Sequence, residues 1–324
     1  MSAPIGQYGD YNRRALLTVA LGAACISASA ILIQLAGTGP ATTAFYRCLF
    51  ALPVLIPLLV LEQRRRGPRP LRARLAAGAA GVFLAVDFML WNHAITALGA
   101  GVATVVGNLQ VLFVALAAWA LFKERLDRNF LIALPVVMAG VVLVSGLVDT
   151  TTTGIDPLAG IGYGVSTSLA YAGFLLIMRR SAARTPHVAA PLTEATIGAG
   201  VTAVVLAPLF GGLQFATGWP ALGWLLVLAM SSQTVGWLLI TSALPKIPAA
   251  IASLLLLLQP AAAMVLAAVV LGERPSLAQV AGAVAVCGGV VFASRATGRD
   301  RPLPTAEPVA AAGLSERLRP IVHE

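Results

Sequence analysis

Apolar residues run along the chain in blocks of about twenty, separated by short polar breaks, from Ala15 to Ser294. A bilayer core about 30 Å thick takes roughly 20 helical residues per crossing. The blocks predict ten membrane-spanning helices, over 15–36, 40–61, 75–97, 100–122, 130–147, 157–178, 189–210, 220–241, 249–271 and 277–294.

The polar residues inside these blocks repeat. Asp87 and Trp91 match Gln233 and Trp237 at an offset of 146; Gln110, Glu124, Arg125, Gly140 and Ser145 match Gln259, Glu273, Arg274, Gly289 and Ser294 at 149. An internal repeat fixes the architecture before any other reading. It divides the chain into an N-terminus (1–14), a first repeat of five helices (15–147), a linker (148–156), a second repeat of five helices (157–296) and a tail rich in Pro, Arg, Glu and Ala (297–324) that is expected to be disordered. Five is odd, so the second repeat enters the bilayer upside down relative to the first. The expected fold is an all-α integral membrane protein of two inverted five-helix repeats.

Composition agrees. With 58% hydrophobic and 11% charged residues and a mean hydropathy of +0.87, the chain has too little polar surface to cover a water-soluble globule. A net charge of +9 would suggest nucleic acid as the partner of a soluble chain. Here the cations are placed for a membrane: of 22 Lys and Arg, all but Arg47 and Arg274 lie in the N-terminus, in alternate loops or in the tail. That asymmetry predicts an inner (plasma) membrane protein with both termini cytoplasmic, in contact with lipid and not with nucleic acid. Cys25, Cys48 and Cys287 fall inside apolar blocks and read as small hydrophobes. The apolar block after Arg14 is too long for a signal-peptide core, so the first helix is read as retained.

Polar residues within the blocks are the candidate chemistry. Asp87 lies about 18 Å into its helix, and burying a carboxylate there costs at least about 2.5–3.5 kcal/mol. One reading bonds it to a neighbouring helix; the other makes Asp87, Asn108, Gln110, Gln233 and Gln259 polar contacts around a midplane cavity. In the second reading Trp91 and Trp237 form walls, Tyr171 either packs between helices or stacks on a ligand, and Arg47 stands toward the outer mouth, either snorkelling or facing water. A site with one carboxylate suits a substrate ammonium or a single proton, hence coupling to a proton or other ion. Pro260, which interrupts the ninth block, is a candidate hinge; Val111 takes its place in the first repeat. Glu124 and Glu273, at matching helix ends, read as structural partners for the start of the next helix. His93 reads as a packing residue, and Glu194, one turn into its helix, lies within reach of the headgroups.

No nucleotide loop, zinc-binding helix, paired-cysteine site or nucleophile elbow is present, so neither a cofactor nor a metal is expected. Inverted repeats with polar residues at the midplane are the build of many secondary transporters. The stretches GNLQVLFVALAAWALFKERL and LLLLLQPAAAMVLAAVVLGERPS resemble the repeat ends of the EamA branch of the drug/metabolite transporter superfamily. The resemblance implies ten helices, cytoplasmic termini, a central cavity and the export of amino acids or related metabolites. Val111 departs from the proline usual in the first copy, and GNLQ differs from the aromatic-rich segment of the aromatic-amino-acid exporters. The reading is a non-enzymatic permease, a secondary exporter or facilitator of small polar metabolites such as amino acids. The alternatives are an intramembrane enzyme using Asp87 and His93, and a channel.

Overall fold

The computed structural model describes residues 6–98, 103, 106–122, 126, 128–144, 156–183, 186–215, 217–271 and 275–296. Glu124, Glu273, nearly all of the linker and the tail beyond residue 296 lie outside them. The described chain is helical and contains no strand: α1 (Gly6–Ser27), α2 (Ser29–Ala36), α3 (Pro40–Arg66), α4 (Leu71–Leu98), α5 (Gln110–Phe122), α6 (Arg128–Val144), α7 (Pro157–Ala183), α8 (Ala189–Leu206), α9 (Ala221–Leu228), a π-helical segment (Ala229–Gly236), α10 (Trp237–Ala243), α11 (Ala249–Leu256), α12 (Leu258–Leu271) and α13 (Leu277–Ala296). Seven stretches among the described residues are long and apolar enough to cross a membrane. Three shorter apolar helices, Gln110–Leu121, Arg128–Leu143 and Leu277–Ala293, lie where the fourth, fifth and tenth spans are expected.

Several spans are broken, each for a local reason. The Ser27 hydroxyl donates to the Ala24 carbonyl at 2.6 Å, a back-bond that bends helices, and α1 ends there. Pro260 has no N–H to offer the carbonyl of Leu256, and the helix breaks at Leu257, whose N–H turns back to Leu254 at 3.1 Å. The first repeat breaks at the matching position without a proline. Asn108 and Leu109 form a turn, and the N–H groups of Val111 and Leu112 reach three residues back, to Asn108 and Leu109, at 3.2 and 3.0 Å. A break that the sequence pointed to in one repeat is therefore present in both.

Helices in lipid gain little from apolar burial against one another, so close packing of small residues joins them. Here the packing pairs come in repeat mates. The first repeat's α4 packs along α7 and α8 of the second, and the second repeat's rod from Ala221 to Ala243 packs along α1 and α3 of the first. Two further pairs, α3 with α8 and α6 with α13, each join a helix to its own counterpart. In the α6–α13 pair the contacts are reciprocal. A Cβ on Gly140 would meet the Gly282 carbonyl at 2.8 Å and Val286 at 2.9 Å, and one on Gly289 would collide with Val137, the counterpart of Val286 at the 149-residue offset. Such a contact, in which residue i meets j′ and i′ meets j, is what a two-fold axis produces. Leu17, Leu21, Val201, Val205 and Val269 are among the large apolar side chains left on the outside, as a lipid-facing surface requires.

Candidate functional site

The two repeats meet at a buried polar cluster built on Arg47. Its helix, α3, packs against both α8 and the π segment, so its side chain points into the protein. Arg47 is 5% exposed, so it faces the interior of the protein and does not snorkel outward. Its Nε donates to Gln233 Oε1 at 3.0 Å and its Nη2 to Ser232 Oγ at 2.6 Å. The Ser29 hydroxyl, beside the break between α1 and α2, donates to the same Ser232 oxygen at 2.9 Å. Gln233 Nε2 donates to Thr196 Oγ1 on α8 at 3.1 Å. The guanidinium also sits over the Phe88 ring, 4.1 Å from its centroid, a cation–π contact in a dry setting.

Neighbouring residues in a regular α-helix point about 100° apart, yet Ser232 and Gln233 reach one guanidinium. Both lie on the π segment and take different nitrogens of the guanidinium, and within the segment the Thr234 hydroxyl donates to the Ala229 carbonyl five residues back at 2.9 Å. Single π turns inside α-helices recur at functional positions. The π segment and Thr196 were not legible in the sequence, and Ser29 and Ser232 stood out only as polar residues within apolar blocks, not as site residues. The adjacent Ser231-Ser232-Gln233 was the available signal.

Asp87, on α4, is buried within electrostatic range of Arg47, but no direct ion pair joins them. The Thr167 hydroxyl of α7 is its partner, 2.9 Å from the Asp87 carbonyl and 3.3 Å from Oδ1. Trp91, one turn further along α4, lies beside Gly107 and Thr167: a Cβ on Gly107 would be 3.8 Å from the indole and 3.7 Å from the threonine methyl. Asn108 stands in the turn that follows.

A second group adjoins the first. Tyr171 lies within reach of Gln259 and within electrostatic range of Asp87 and Arg47. Tyr171 also packs near Trp237, with centroids 6.1 Å apart, while Phe174 meets Trp237 edge-on at 4.7 Å. Three buried polar atoms have no partner: Trp237 Nε1 in this group, Thr241 Oγ1 one turn on, and Gln110 Oε1 on α5. Buried groups left unpaired are costly and mark places where a water or a ligand is accommodated.

His93 is not part of this arrangement. It lies six residues beyond Asp87, about 9 Å along the helix, with its ring 5.4 Å from those of Tyr163 and Phe210. Asp87 and His93 therefore form no acid–base pair. Glu194 does not reach for headgroups either. It is buried and ion-paired with Arg69, and Arg74 Nε stands 3.4 Å from its other oxygen. Burial pulls the Arg69 guanidinium below its ordinary pKa, and the Glu194 charge opposes that pull.

Two hollows of about 330 and 190 Å³ lie between α4 and α7 and between α3 and α8. Their linings are almost wholly apolar and contain none of Arg47, Asp87 and Gln233. The polar cluster itself is closed over, with Gln233 and Ser232 fully buried.

A helical membrane protein whose two similar halves meet at buried polar side chains has the build of a transporter. The model of the EamA-like transporter family matches residues 13–146 and again residues 158–295. The chain belongs to that family and is a membrane transporter of the drug/metabolite type. A solved structure titled only as a crystal structure of protein has the same fold, with a TM-score of 0.72 at 18% identity over 86% of this chain and 98% of that one. No curated protein matches the chain.

Proposed function

We propose that the protein is a secondary exporter or facilitator of small polar metabolites, with amino acids as the favoured class. It works by alternating access around the Arg47–Gln233 cluster, in the inner membrane, with both termini cytoplasmic. Ten spans in two inverted repeats fit the reciprocal packing of α6 on α13 and the mated helix breaks.

One observation carries the substrate class. Arg47 and Asp87 are buried in electrostatic range of each other without being paired, so a cation and a carboxylate stand ready a short distance apart. A zwitterion answers both charges at once. Its carboxylate would replace Gln233 and Ser232 on the guanidinium, where Arg forms bidentate pairs, and its ammonium would take the Asp87 carboxylate. The partnerless Gln110 and Trp237 and the Tyr171–Gln259 pair offer further polar contacts, Trp91 and Asn108 line the first-repeat side, and the breaks at Asn108 and before Pro260 give the walls a place to bend. Between substrates Asp87 is free to hold one proton, which would couple transport to a proton gradient.

Uptake into proteoliposomes tests the proposal. Radiolabelled amino acids, offered singly, should enter saturably, and faster when the same amino acid is loaded inside. Entry that never saturates and is not accelerated from inside would mean a channel.

A further inference from the structure

Arg69 and Glu194 join the two repeats at the arginine-rich end of the bundle. Arg69 is in the short loop between α3 and α4 of the first repeat; Glu194 is on α8 of the second. Arg69 Nη2 also donates to the Ser181 carbonyl and hydroxyl, at the end of α7, at 3.0 and 2.7 Å. The contact is backed by Glu62, whose carboxylate accepts the N–H groups of Val188 and Ala190 at 2.9 Å, and by His187, whose Nε2 is 3.0 Å from the Gly67 carbonyl.

The opposite end carries a contact between similarly placed residues. Phe45 and Glu194 are each the sixth residue of their helices, α3 from Pro40 and α8 from Ala189. Phe215 follows Arg69 by 146 residues, the offset that relates Asp87 to Gln233, and lies in the loop that corresponds to Arg69's. The Phe45 and Phe215 rings meet edge-on with centroids 6.1 Å apart. The Tyr46 hydroxyl donates to the Phe215 carbonyl at 3.1 Å, and the Gln214 N–H to Thr42 Oγ1 at 3.0 Å. A residue near the start of each of these helices thus meets the loop that follows the other, once at each end of α3, a helix about 40 Å long.

We propose that Arg69–Glu194 and Phe45–Phe215 are the two gates of the transport cycle, the same repeat contact with ionic chemistry at one end and aromatic chemistry at the other. The inference rests on the alternating-access reading above. Both gates are shut here, which fits the closed-over polar cluster. They are held unequally. The Arg69 side chain is fully buried and that of Glu194 nearly so, whereas Phe215 is 69% exposed. Parting the ions strands a buried charge, while an aromatic contact open to water is held only weakly. From this state the Phe45–Phe215 end opens first, and the arginine-rich end opens once a charged substrate offsets the cost.

Cysteine labelling tests this without any substrate, so its failure is distinct from failure to find one. With Cys25, Cys48 and Cys287 replaced by alanine, Ser232→Cys places a single thiol in the buried cluster, and an impermeant maleimide is applied to oriented vesicles from each side. Phe215→Ala should speed labelling about tenfold from the Phe45 side alone. Arg69→Ala, or Glu194→Gln if that variant does not reach the membrane, should speed it similarly from the arginine-rich side alone, whereas Arg69→Lys, which keeps a cation facing Glu194, should label more slowly than Arg69→Ala. Variants that are inserted and label no faster than the parent, or that all open the same side, would make these contacts scaffold and overturn the proposal.

Discussion

Arg47 Nε donates to Gln233 Oε1 at 3.0 Å, tying a helix of the first repeat to the π segment of the second. The amide answers two buried partners at once, because its nitrogen donates to Thr196. Gln233→Ala strips a buried guanidinium of one acceptor, at a cost of about 1–3 kcal/mol. Thermal unfolding in detergent should show a clearly lowered Tm. Gln233→Glu, which keeps an acceptor facing Arg47, should lose less. Equal Tm for Gln233→Ala and the parent would show that the contact does not hold the repeats together.

Two adjacent glycines of α13 should behave oppositely. A Cβ on Gly289 runs into Val137 of α6, whereas one on Gly288 meets nothing within 4 Å. Gly289→Ala should lower stability by about 1–3 kcal/mol, the usual cost of overpacking. Gly288→Ala should be neutral or raise it by about 0.5–1 kcal/mol, because alanine restrains the unfolded chain and favours helix. Reversed Tm shifts would contradict the packing of α6 on α13.

Pro260→Ala restores an N–H that can bond the Leu256 carbonyl, so α11 and α12 should merge toward one helix. The expected outcome in proteoliposomes is slower turnover with a Tm no lower than the parent's. Unchanged turnover would mean that the break plays no part in the cycle.

What could be read from the sequence was set by composition and spacing. Twenty-residue apolar blocks report membrane helices directly, and the 146- and 149-residue offsets of Asp87 and Gln110 expose the repeat, because both are properties of local strings. Direction and partnership are not. Arg47 lies only two turns into α3, and hydropathy assigns an arginine there to the interface; contacts of α3 with α8 and the π segment turn it inward. The break at Asn108 has no proline to announce it. Arg69 and Glu194, 125 residues apart, look like two ordinary charges at the edges of apolar blocks until the fold places them together. Ser231-Ser232-Gln233 marks a polar stretch in the eighth block, but nothing in the composition announces a π turn, so Ser232 could not be assigned to the face of Gln233.

The most direct test of the central claim is binding that needs both charges of the ligand and both charges of the protein. The measurement is ligand-dependent thermal stabilisation of the purified transporter, using a panel of amino acids together with their N-acetyl and carboxamide derivatives. At least one zwitterionic amino acid should raise Tm while both of its derivatives fail to do so. The rise should disappear in Arg47→Ala and in Asp87→Asn, each first shown to be folded and inserted. A ligand that stabilises parent and both variants alike, or one that stabilises equally well with its carboxylate or ammonium masked, would contradict the assignment of Arg47 and Asp87 to the transport site.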